Sequence, residues 1–134
     1  NLCSTLDNLS KDTDVIISML PGDDEVLETV SQVKKNIKPN SVFVDMSSTK
    51  VSTANECYKV LKEINSNFID APVSGGPEGA KSGSLAIMAG GEQNAFLKIK
   101  PILETMGKAT LLGPNGSGQV AKLCNQIIVN ITII

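Results

Sequence analysis

Histidine is absent from this chain. That absence excludes Ser-His-Asp and Cys-His nucleophile systems, histidine-ligated metals and the commonest general base. Proton transfer near neutral pH is left to Lys, Asp, Glu, Tyr or Cys. Tryptophan is missing as well, and aromatic residues make up 3% of the chain. Twelve basic residues are scattered among fourteen acidic ones for a net charge of -2, with no basic block, so a nucleic-acid surface is not expected. Cysteine is scarce and odd in number. Cys3, Cys57 and Cys124 stand apart without metal-ligand spacing, which fits a reducing compartment such as the cytoplasm or the mitochondrial matrix and implies no metal. No apolar run reaches the roughly 18 residues of a membrane span, so no membrane is expected as a partner.

What is present reads as one domain with an α/β pattern. At 134 residues the chain can bury a core without disulfide or metal. Residues 14–21 form a nearly continuous apolar run stopped by Pro21 and Gly22, the pattern of a strand covered on both faces. A short helix over residues 4–11, with Ser4 as its N-cap, precedes it. Asp23 and Asp24 open a helix reaching Lys38, with Val26, Val30, Val33 and Ile37 at helical spacing. Strands follow over residues 41–46, 67–73, 85–89 and 109–112, separated by helices over 52–64 and 92–106, the last capped by Gly107. Strands alternating with helices through short Gly- and Pro-marked loops predict α/β layers on a mostly parallel sheet. In such sheets ligands collect beyond the carboxyl ends of the strands. That rule selects the loops at residues 20–22, 47–49, 74–76 and 113–118.

The last of these loops runs into a helix, Gly116-Ser117-Gly118-Gln119-Val120-Ala121-Lys122-Leu123-Cys124-Asn125-Gln126. Lys122, Asn125 and Gln126 fall at i, i+3 and i+4, on one face and within reach of one small molecule. Val120, Leu123, Cys124, Ile127 and Ile131 line the other face, expected to be buried, with Cys124 packed as a small hydrophobe. Two readings of Lys122 stand side by side, a proton carrier or a lysine snorkelling from the edge of a core helix. Ser74-Gly75-Gly76 either presents backbone N–H groups and a hydroxyl to a carboxylate or makes a tight strand exit. Leu20-Pro21 and Ser47-Ser48-Thr49 either touch a nucleotide or simply end strands. Asp70 is a candidate acid or a structural aspartate before Pro72. Gly116-Ser117-Gly118 is only part of a dinucleotide fingerprint.

Taken together, Asp70-Ala71-Pro72-Val73-Ser74-Gly75-Gly76, the segment 84–91, and Gly116-Ser117-Gly118 with Lys122 four residues on resemble the β-hydroxyacid dehydrogenases. The 3-hydroxyisobutyrate dehydrogenase and tartronate semialdehyde reductase branches are nearest, and the likeness runs through the whole chain. The resemblance implies a Rossmann-like domain that binds NAD or NADP, joined by a long helix to an all-helical domain that completes the site and a homodimer. It implies that Leu20 and Pro21 touch the dinucleotide, that Ser48 lies by the nicotinamide ribose, that Ser74, Gly75 and Gly76 bind the substrate carboxylate, and that Lys122 is the general acid/base for a small β-hydroxy acid and its semialdehyde. With no histidine available, a lysine can carry that proton. The family often has asparagine four residues after the lysine. Here that place is Gln126, preceded by Asn125, and either amide can meet the substrate. The Ser-Gly-Gly form differs from the Ser-Gly-Ser usual in the glyoxylate and succinic semialdehyde reductases.

The chain begins without Met and ends on a run of Ile, Val and Thr, so it is expected to be a segment of a longer protein. Residues 1–115 then form a partial NAD(P)-binding domain lacking its first strands and their glycine-rich turn. Residues 116–134 begin the interdomain helix. Such a segment is expected to bind cofactor poorly and to be inactive alone. Two other readings are a Schiff-base lysine at Lys122 and a non-catalytic relative keeping the fold for binding or assembly.

Overall fold

The computed structural model describes residues 2–133. Asn1 and Ile134, the two ends of the expected segment, lie outside the described residues. After a short helix α1 (Leu6–Asp12), three strands run parallel: β1 (Val15–Ser18), β2 (Val42–Asp45) and β3 (Asn67–Asp70). Val15 lies opposite Val42, and Val42 opposite Asn67. Helices α2 (Asp23–Val33) and α3 (Val51–Lys62) make the crossovers. The chain then continues through β4 (Val73–Ser74) and α4 (Gly76–Ser82) and reverses as β5 (Leu85–Gly90), which pairs antiparallel with both β3 and β4. Helix α5 (Gln93–Leu103) leads to β6 (Gly107–Gly113), parallel to β5, and α6 (Ser117–Thr132) follows. The result is the expected α/β class with a mostly parallel, Rossmann-like sheet.

The apolar runs bury as their lengths dictate. All four residues of β2 are buried, because the sheet has a core on each face. On one face Phe43 and Phe68 stack with ring centroids 5.9 Å apart beneath α2 and α3. On the other, Val42, Val44 and Ile69 pack against Phe96, Ile99 and Leu103 of α5. Helix α2 presents Val26, Val30 and Val33 to the first core, at the spacing of one helical face. Its Asp23 carboxylate also accepts from Lys50 N at 2.9 Å and Thr53 Oγ1 at 2.6 Å, fixing the start of α3.

Several expected boundaries shift, each for a local reason. Thr5, not Ser4, caps α1, its hydroxyl accepting from Asn8 N at 3.2 Å. Helix α2 stops at Val33 rather than Lys38, because Lys35 N and Asn36 N close onto Gln32 O and Val33 O as a tight turn. The strand expected over residues 67–73 breaks after Asp70, where Pro72 has no N–H for a ladder. Its carbonyl still accepts from Met88 N at 3.0 Å. The stretch left unassigned between the strands expected over 67–73 and 85–89 contains α4, started by Pro77 and closed by Gly83 in the left-handed region at φ 65°. Gly107 is not a helix cap: it opens β6, where a Cβ would sit 2.0 Å from Leu85 O.

The largest correction concerns α6. The face carrying Val120, Leu123, Ile127 and Ile131 is 48% to 67% exposed, and Cys124 is exposed rather than packed in a core. The buried residues of α6, Gly118 and Gln119, lie in its first turn, against the sheet.

Candidate functional site

The start of α6 lies where the ends of three strands meet. Gly116 turns the chain with φ 91°, a conformation that favours glycine. At Gly118 a Cβ would come 2.3 Å from Met88 O and 2.8 Å from Asp70 Oδ2, so only a glycine lets the helix approach the sheet this closely. Asp70, fully buried at the end of β3, receives the orphan N–H groups of the first helical turn. Its Oδ1 accepts from Gly116 N at 2.7 Å and its Oδ2 from Gln119 N at 3.1 Å. Burial pushes the Asp70 carboxyl above its ordinary value, and these backbone donors pull it part of the way back. Of the two readings of Asp70, the structural one holds.

The side chain of Gln119 extends the same grip to the next loop. Its Oε1 accepts from Thr49 N at 3.1 Å and its Nε2 donates to Ser47 O at 2.8 Å. Ser47 in turn donates through its hydroxyl to Asp45 Oδ1 at 2.6 Å and accepts from Leu20 N at 2.7 Å. Asp45 also accepts from Ser18 Oγ at 2.9 Å. Asp45 is raised by burial, opposed by the Ser47 and Ser18 hydroxyls. Two buried side-chain oxygens in this layer, Asp45 Oδ2 and Thr49 Oγ1, have no hydrogen-bond partner among the described residues. Leu20 and the loop carrying Ser48 are thereby held to α6 by one hydrogen-bonded chain. Ser48 itself is exposed between buried Ser47 and Thr49, and Pro21 is exposed.

One turn beyond Gln119 the half-buried Lys122 reaches the end of β4. Its Nζ donates to Val73 O at 2.8 Å and to Gln126 Oε1 at 3.2 Å. Asn125 Nδ2 donates to Ser74 Oγ at 3.2 Å. Lys122, Asn125, Gln126 and Ser74 thus form one cluster, as the helical spacing required. Asn125 is the amide nearest the Ser74 loop, while Gln126 serves the lysine. Gly75 and Gly76 lie exposed beside Ser74, both at positive φ (131° and 59°). Gly75 O accepts from Gly79 N of α4 at 2.9 Å.

Gln119 and Asp45 were not singled out by the sequence reading. The signal for Gln119 was available, since it lies three residues before Lys122 and continues the polar stripe of Lys122, Asn125 and Gln126. Asp45 carried none beyond being the one charged residue in an apolar strand. A cavity of about 350 Å³ lies elsewhere, between α3 and α5, lined by Tyr58, Lys62, Glu92 and Lys98 among others. The Lys122 cluster is the better candidate because it lies on the helix whose first turn, through Gln119, also holds the loops of Ser48 and Leu20. Among the described residues no group of His, Cys, Asp and Glu could hold a metal ion, and no helix is long and apolar enough to cross a membrane.

Comparison with known proteins gives this arrangement a family. The chain is 43% identical over 129 residues to an uncharacterised oxidoreductase of Bacillus subtilis (strain 168), covering 93% of this chain and 45% of that protein. It is 37% identical over 134 residues to 2-hydroxy-3-oxopropionate reductase of Escherichia coli (strain K12), covering 96% and 46%. A solved structure of Mycobacterium tuberculosis 3-hydroxyisobutyrate dehydrogenase with L-serine superposes with a TM-score of 0.91 at 33% identity, covering 95% of this chain and 44% of that one. The chain therefore spans less than half the length of the relatives it matches. The family model described as the NAD binding domain of 6-phosphogluconate dehydrogenase matches residues 1–121, which makes a nicotinamide dinucleotide, NAD or NADP, the cofactor class. The chain belongs to that family of NAD-binding domains, and its relatives named above are oxidoreductases that include hydroxy-acid dehydrogenases and reductases.

Proposed function

We propose that this chain is the part of an NAD(P)-dependent β-hydroxyacid dehydrogenase that carries the proton-transferring lysine, acting on a small acid of the 3-hydroxyisobutyrate kind and its semialdehyde. The observation that carries the reading is the hydrogen-bonded cluster of Lys122, Asn125, Gln126 and Ser74 at the same strand ends as the Ser48 loop. A lysine ammonium has three donors. Val73 O and Gln126 Oε1 take two of them, which leaves the third for a substrate oxygen. In oxidation the neutral amine takes the hydroxyl proton as hydride leaves the adjacent carbon. In reduction the ammonium protonates the forming alkoxide. Because Asn125 supplies the Ser74 oxygen with a donor, the Ser74 hydroxyl keeps its own proton for a carboxylate, beside the backbone of Gly75 and Gly76.

The residues present fit the nicotinamide end of the cofactor. Buried Thr49 Oγ1, beside exposed Ser48, lacks a partner among the described residues, and the Leu20-Pro21 turn is tied to the same loop through Ser47. When bound, the nicotinamide accepts or delivers the hydride. The exposed apolar face of α6, together with a chain covering less than half of its relatives, supports reading residues 1–115 as a partial nucleotide-binding domain. Residues 116–134 are then the start of a helix running into a further, helical domain, and the complete protein is a homo-oligomer. On this reading the 134-residue segment alone turns over little hydroxy acid. A Schiff-base role for Lys122 is answered by borohydride trapping with an aldehyde substrate, where no adduct is expected.

The decisive experiment is Lys122→Met in the complete protein. It is expected to lower kcat by about 10²- to 10⁴-fold while leaving the folded state intact, since Met keeps the length of the apolar stem. Unchanged turnover would remove the mechanism, whereas absence of turnover in the unsubstituted complete protein would favour a binding or assembly role.

A further inference from the structure

The Gln119 carboxamide makes two bonds that a helix packed on a sheet does not require. It is 1% exposed, and a leucine of similar size would fill its place but leave Thr49 N and Ser47 O without these partners. Oε1 accepts from Thr49 N at 3.1 Å and Nε2 donates to Ser47 O at 2.8 Å. The carboxamide acts as one more peptide group, pairing with the main chain on both sides of Ser48. Its own backbone N–H is held by Asp70 Oδ2 at 3.1 Å, so the residue that grips the loop is itself fixed to β3. Lys122 lies three residues further on the same helix, and its Nζ is fixed at its far end by Val73 O.

We infer that Gln119 is a positioning residue for the reaction: it sets the distance between the Ser48 loop and Lys122. The inference rests on the reading proposed above, in which the Ser48 loop holds the nicotinamide end and Lys122 moves the proton. Hydride and proton leave adjacent atoms of one hydroxy acid, so the group receiving each must be in register with the other. Displacements near 1 Å are enough to slow such a step about 100-fold. A single amide on the lysine's own helix provides that register directly, without passing through α3 or the substrate.

The test compares Gln119→Leu, Gln119→Glu and Lys122→Met in the complete protein, using a β-hydroxy acid deuterated at the carbon that loses hydride. Gln119→Leu removes both bonds at nearly constant volume. It is expected to lower kcat about 10- to 100-fold, to leave KM for the hydroxy acid within about 3-fold, and to raise the primary deuterium isotope effect on kcat. The pH profile should keep the shape of the unsubstituted protein's, because the proton carrier is untouched. Gln119→Glu keeps the acceptor for Thr49 N, loses the donor to Ser47 O when ionised and adds a buried charge, so the same split is expected at about 10-fold or more. It decides the matter should the Leu variant lose its cooperative unfolding transition. A structural role alone would lower the yield or melting temperature and leave kcat and isotope effect per folded molecule unchanged, and that result in either variant overturns the inference. If instead Lys122→Met retains turnover, the acid/base reading fails, whatever the Gln119 variants do.

Discussion

The two halves of α6 are built on opposite terms. In the first turn Gly116, Gly118 and Gln119 are buried, and Gly116 N, Gln119 N and the Gln119 carboxamide have partners on β3 or on the loop after β2. From Leu123 onward the helix is more apolar and yet exposed, with Ile127, Ile128 and Ile131 showing 59%, 62% and 67% of their surface. Hydrophobic patterning alone would have assigned the burial the other way round. The difference teaches that the start of α6 is attached by hydrogen bonds to main chain and carboxylate, and that its apolar half is mostly left uncovered by the described residues. The Lys122 cluster lies at the junction, held from one side and open on the other.

If the grip is polar, removing one carboxylate should release the helix. Asp70→Ala leaves the N–H groups of Gly116 and Gln119 without their acceptors in a buried place. It is expected to destabilise the protein by about 3 kcal/mol, from roughly 1 to 3 for each orphaned group, measured as the shift in urea unfolding. Asp70→Asn, which keeps one acceptor oxygen, should lie between. A loss below about 1 kcal/mol would mean that the first turn is held by something other than these bonds.

Asp45 tests the layer beneath. Burial raises its carboxyl above the ordinary 3.8, and Oδ2 has no partner among the described residues. Between 3.8 and the raised value the folded protein holds a proton that the unfolded chain has released. Stability therefore falls as pH rises through that window and stays lower above it. Asp70 is shifted in the same direction. Asp45→Asn retains an acceptor for Ser18 and Ser47 and cannot ionise. Its unfolding free energy should show a flatter pH dependence, and the variant should gain on the unsubstituted protein by on the order of 1 kcal/mol between pH 4 and 7. Parallel curves for the two proteins would show that Asp45 does not titrate in this range.

How far all this was legible in the sequence depends on which force fixed each part. The α/β layering, the first three strands and the stripe of Lys122, Asn125 and Gln126 follow from apolar runs and helical spacing, and these are local signals. The break after Asp70 and the opening of β6 at Gly107 depend on what lies across the sheet, so the same Gly and Pro punctuation supported other boundaries. Cys124 and its neighbours were misplaced because an amphipathic pattern says which face is apolar and not whether anything covers it. Gln119 escaped notice because a buried amide bonding to backbone leaves no mark at a distance: its partners at Ser47 and Thr49 are some 70 residues away. The fold was readable from local chemistry, while the bonds that hold the site together were long-range.

The smallest expected effect tests the open half of α6. Replacing Ile127 and Ile131 together with Gln removes two large apolar side chains that the described residues leave in water. Exposed substitutions of this kind change stability by about 0.5 kcal/mol or less, and the segment 1–134 should unfold at an unchanged urea concentration, with better solubility. In the complete protein the same pair should behave differently if a helical domain covers this face. Each buried Ile lost then costs about 2 kcal/mol or more, because transfer of a methylene-rich side chain out of water is reversed and an amide is left in its place. The contrast between segment and complete protein, rather than either value alone, separates a helix that ends in solvent from one that continues into a second core. Equal and negligible effects in both would leave α6 with an uncovered face in the complete protein too and would remove the interdomain role proposed for it.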